Sequence, residues 1–111
     1  MSFGQCWWSL DPREAVSAVH EIDDKKALHR IAFEARNPEA RRLALIKLGD
    51  KNLMETFAKC DKSPIVRRRM VRELDNEDII GEIARNDEDF SVRESAYKRL
   101  KALKDRDADV D

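Results

Sequence analysis

The residues able to do chemistry in this chain are mostly cations, and they gather in three short stretches. Arg41, Arg42 and Lys47 form the first, Arg67, Arg68, Arg69 and Arg72 the second, and Arg93, Lys98 and Arg99 the third; only Glu39, Glu73 and Glu94 oppose them there. A guanidinium is planar and presents several donors at once, which suits a carboxylate or a phosphate. That chemistry is recognition of an anion rather than bond making. No catalytic constellation accompanies it, and no cofactor is expected. His20 and His29 fall at unrelated positions with no cysteine or carboxylate spaced to complete a zinc site, so no metal is expected.

Each basic stretch sits on an apolar pattern of helical period. Segments opening at Asp24, Asp50 and Asn76 superpose without a gap, 26 residues apart. In their first halves Ala27, Leu53 and Ile79 align, as do Leu28, Met54 and Ile80, then Ile31, Phe57 and Ile83, then Ala32, Ala58 and Ala84. In their second halves Ala40, Val66 and Val92 align, followed by Ala44, Met70 and Ala96, then Leu45, Val71 and Tyr97, then Leu48, Leu74 and Leu100. Both spacings are those of one apolar helix face. The basic stretches therefore lie on the second helix of each pair.

The turns between helices recur too. Asp11, Asn37, Ser63 and Asp89 share a column, and all four are residue types whose side-chain oxygen accepts from the free N–H groups of a first helical turn. Pro12, Pro38 and Pro64 follow, with the fixed φ that suits a first helical position, and Phe90 departs from them. The reading is a partial unit over residues 1–23 and full units over 24–49, 50–75 and 76–101. Seven helices and no strand are expected.

Turning each residue by 100° sorts the cations. Arg41, Arg67 and Arg93 lie beside the apolar stripe and are assigned to structure. Arg68 and Arg72 point away from it, Arg69 lies on the other flank, and Arg42 and Lys98 occupy equivalent outward columns. These five are either a solvated face or a partner-binding ridge.

Asp61 precedes Arg67 by six residues, and Asp87 precedes Arg93 in the same way. With two short helices per unit, the phrases FAKCDKSPIVRRRMVREL and IARNDEDFSVRESAYKRL resemble HEAT-like repeats over residues 12–100. The resemblance implies an all-α, right-handed superhelix of stacked hairpins. It also implies a structural ladder of hydrogen bonds between units made by Asp61, Arg67, Asp87 and Arg93, with Ala35 standing where the unit from 24 would need an aspartate. HEAT-like proteins include scaffolds, nucleic-acid binders, bilin-lyase-like proteins and alkylated-base glycosylases, and the fold does not choose among them.

Composition narrows the field. Charged residues make up 41% of 111 residues while the net charge is −1, and Gly and Pro number three each, which reads as charged helices joined by short turns. No run is long and apolar enough to span a membrane, and MSFGQCWWSL lacks the basic start and apolar middle of a secretory signal, so the cytoplasm is the expected location. Cys6 falls in a core column and Cys60 does not make a disulfide framework with it. Trp7 and Trp8, with Phe33 in the same outward column as Trp7, form either an N-terminal cap or an aromatic contact for a partner. Residues 75–89 hold seven acids, but Ile79 and Ile80 stand where a calcium loop needs oxygen ligands. Residues 1–103 are expected to form one domain and 104–111 a polar frayed tail. The favoured function is a non-enzymatic module binding an acidic protein through Arg42, Arg68, Arg69, Arg72 and Lys98; the alternative is nucleic-acid binding, and a HEAT-like enzyme comes third.

Overall fold

The computed structural model describes residues 7–8 and 11–108, with side chains described through residue 106. Seven helices and no strand occur among them: α1 (Pro12–His20), α2 (Lys25–Glu34), α3 (Pro38–Leu48), α4 (Lys51–Cys60), α5 (Pro64–Glu73), α6 (Glu77–Asn86) and α7 (Phe90–Ala108). The chain forms two compact units, residues 1–50 and 51–111. In the first, α3 packs on both α1 and α2. In the second, α4 pairs with α5, α6 pairs with α7, and α7 also lies along α5. No helix among the described residues is long and apolar enough to cross a membrane.

Caps explain why α1, α3, α5 and α7 start where they do. Asp11, Asn37 and Ser63 accept from the backbone N–H two residues on, at 3.0, 2.8 and 3.2 Å, and a proline follows each of them. Asp89 does the same for α7, taking Ser91 N at 2.8 Å and Val92 N at 3.2 Å. Gly49 ends α3 at φ 64°, a left-handed conformation that other residues adopt only at a cost.

The apolar columns become the two cores. Ile31, Leu45 and Val19 are fully enclosed in the first unit, and Met70, Leu74, Ile80 and Val92 in the second. Some expectations need correction. Tyr97 shares a column with Leu45 and Val71, which are 1% and 0% exposed, yet it is 66% exposed. α7 covers that face of α5, whereas no described helix covers the same face of α7. Ile79, Leu48 and Leu100 are only half-buried. α7 does not fray after Leu103: it continues to Ala108, because Leu103 falls on the same helix face as Val92 and Ala96 and is 2% exposed. Cys60 is exposed, and Cys6 lies outside the described residues.

Candidate functional site

Consecutive arginines on α5 fan out by 100° each, and three different fates follow for Arg67, Arg68 and Arg69. Arg67 turns inward. Its Nη1 donates to the Asp61 carbonyl at 2.7 Å, while Nε and Nη2 donate to the two carboxylate oxygens of Asp87 at 2.9 and 3.2 Å. Both side chains of this fork are buried, at 7% and 6% exposure. Two other arginines in the same register make the carbonyl contact. Arg41 Nη1 donates to Ala35 O at 2.8 Å, and Arg93 Nη1 to Asp87 O at 2.6 Å. The residue six positions earlier thus serves through its backbone, so Ala35 suffices where Asp61 or Asp87 stands elsewhere. The Asp87 side chain instead takes the arginine 20 residues before it.

Arg68 and Arg72 lie one turn apart on the outward face of α5, exposed, and neither makes a hydrogen bond or ion pair with a described residue. Opposite them, α7 presents Ser91, Glu94, Ser95, Lys98 and Arg99 at helical spacing. Together these seven residues line an open groove of about 540 Å³ between α5 and α7. Four cations face a single carboxylate. That carboxylate is itself engaged with Lys98, Glu94 Oε1 lying 3.4 Å from its Nζ across an exposed turn. Such pairs are weak and exchange readily with an incoming anion. Like charges four residues apart on one helix also repel, so Arg68 and Arg72 gain from any anion placed between them.

Ser91 closes one end of the groove. Its hydroxyl donates to Asp89 Oδ1, and this bond, with the Val92 N–H behind it, holds the Asp89 carboxyl below its ordinary range against the opposing effect of burial. The Ser91 proton is committed, and donors toward a guest come from the arginines and the lysine.

Arg99 belongs to the third basic stretch but not to the five cations of the expected ridge, although its column carries a signal. Lys47, two register steps earlier, clasps the carboxyl end of α1 through the carbonyls of Val19, His20 and Ile22 and lies 3.4 Å from Asp23. Arg99 repeats the device, donating to Leu74 O at 2.9 Å and Asp75 at 2.8 Å, and so it is both a helix cap and a wall of the groove. Arg69 and Arg42 do not join the groove. Arg69 is held by Glu73 at 3.3 Å, with its Nε enclosed and without a hydrogen-bond partner among the described residues. Arg42 donates twice to Glu39 and belongs to the unit of residues 1–50.

The aromatic candidates also lie in that unit. Trp7 and Trp8 meet edge to face at 5.6 Å, Arg30 sits 5.7 Å from the Trp7 ring, and Trp8 stays 58% exposed. Phe33 is 63% exposed. Among the described residues no three His, Cys, Asp or Glu side chains gather as a metal would require. No protein-family model, curated protein or solved structure matches this chain.

Proposed function

We propose that this chain is a HEAT-like helical array acting as a non-enzymatic interaction module, and that the α5–α7 groove holds an acidic segment of a protein partner. The observation that carries this reading is that Arg68 and Arg72, unpaired among the described residues, face Lys98 and Arg99 across an open groove. Two free guanidiniums one turn apart suit successive carboxylates of an extended or helical peptide. A nucleic-acid guest fits less well. The groove contains no aromatic side chain on which a base would stack, Glu94 lines it, and the chain as a whole is slightly acidic.

Fluorescence anisotropy with a labelled glutamate-rich 12-residue peptide and a labelled single-stranded oligonucleotide of equal length separates these readings. The peptide should bind and the oligonucleotide should bind more weakly at matched salt. Tighter binding of the oligonucleotide, with log affinity falling against log salt at about 0.7 per phosphate neutralised, would assign the groove to nucleic acid instead.

A further inference from the structure

The opposite edge of α7 has the same register as a surface whose occupant is already visible. On α5, which packs along α7, the stripe Pro64, Arg67, Val71 is largely covered: Val71 is 0% exposed and Arg67 5%. The decisive polar contact there is Asp87, from the turn between α6 and α7, held by Arg67 Nε and Nη2. The corresponding stripe on α7 is Phe90, Arg93, Tyr97. Phe90 is 69% and Tyr97 66% exposed. Arg93 repeats Arg67's carbonyl contact through Nη1 and lies 5.9 Å from the Phe90 ring, but its Nε and Nη2 meet no carboxylate among the described residues. Among the described residues, the donors that Arg67 spends on Asp87 have no such acceptor on Arg93.

We propose that this edge of α7 is a docking surface for a helical hairpin of a partner protein, one that carries an aspartate in the turn before its second helix. Charge selects against a second copy of this chain. The stripe continues through Lys101 and Lys104 with no carboxylate, so two such edges brought together would set cation against cation. Toward the amino end, the sequence column of Asp61 and Asp87 holds Ala35 and Ser9, neither of them an acid.

The test uses the chain's own hairpin as the probe, in a chain with residues 76–101 duplicated in tandem. The added hairpin should unfold together with the rest, with a larger urea m-value than the native chain. Arg93→Ala should lower the urea midpoint of the duplicated chain by about as much as Arg67→Ala lowers that of the native chain. In the native chain Arg93→Ala should have a clearly smaller effect. Replacing the added copy's counterpart of Asp87 by alanine should cause the same loss, and no further loss on top of Arg93→Ala. An equal Arg93→Ala cost in both chains, or a separate transition for the added hairpin, would overturn the proposal. Sedimentation of the native chain should show a monomer, and a dimer abolished by Tyr97→Arg would overturn it by giving the edge to a second copy.

Discussion

Arg67 and Asp87, twenty residues apart, form a buried two-pronged ion pair that ties the turn before α7 to the middle of α5. The same guanidinium holds the Asp61 carbonyl in the turn before its own helix. One side chain therefore sets the spacing of two successive interhelical turns, and the groove bounded by α5 and α7 inherits that spacing.

Removing one partner of a buried pair leaves the other charged and unsolvated. Arg67→Ala should lower stability by about 3 kcal/mol or more, read from urea unfolding followed by circular dichroism. Arg68→Ala, on the exposed face of the same helix, should change it by about 0.5 kcal/mol or less. Equal effects would mean that the fork contributes little.

Asp89 gives the fold a specific acid sensitivity. Its carboxyl is held below its ordinary value of 3.8 by the Ser91 hydroxyl and the N–H groups it caps. A lowered folded-state value means the charged form favours the native chain above that pH, and the contribution is lost as pH falls through the folded value. The stability difference between wild type and Asp89→Asn should be constant from pH 7 to about 5 and shrink below about 3.8. A difference that stays flat to pH 3 would contradict the assignment.

Gly81 offers a gain. It sits buried inside α6, where a Cβ would meet only the far end of Arg85 at 3.3 Å and Leu100 at 4.0 Å. Arg85 is exposed and able to move. Gly81→Ala should raise stability by about 0.5–1 kcal/mol through helix propensity and a less free unfolded chain, seen as a higher Tm in calorimetry. A lower Tm would show that the α6–α7 contact tolerates no added methyl.

Much of this architecture was legible in the sequence because caps and apolar columns are local signals. Asp11, Asn37, Ser63 and Asp89 each announce a helix start by chemistry that needs no tertiary partner. The pairing of Arg67 was harder to read. Aspartate six residues upstream looks like the natural mate, but at that distance Arg67 reaches the backbone carbonyl of Asp61, and the carboxylate it holds is that of Asp87, twenty residues on. Tyr97 was misread for a related reason, since burial of a column depends on whether another helix follows to cover it. Of the five ridge cations, Arg68, Arg72 and Lys98 meet in one groove, while Arg42 and Arg69 are occupied by Glu39 and Glu73. A helical wheel reports direction but not which neighbouring glutamate a long side chain will fold back upon.

The most direct test of the central claim is charge reversal at the groove. The Arg68→Glu, Arg72→Glu double variant should keep the wild-type helical content and urea midpoint within about 0.5 kcal/mol per exposed substitution, because both side chains are exposed. Its affinity for the glutamate-rich peptide, measured by anisotropy at low salt, should fall at least about tenfold, equivalent to about 1.4 kcal/mol. Unchanged peptide affinity in a folded double variant would contradict the account.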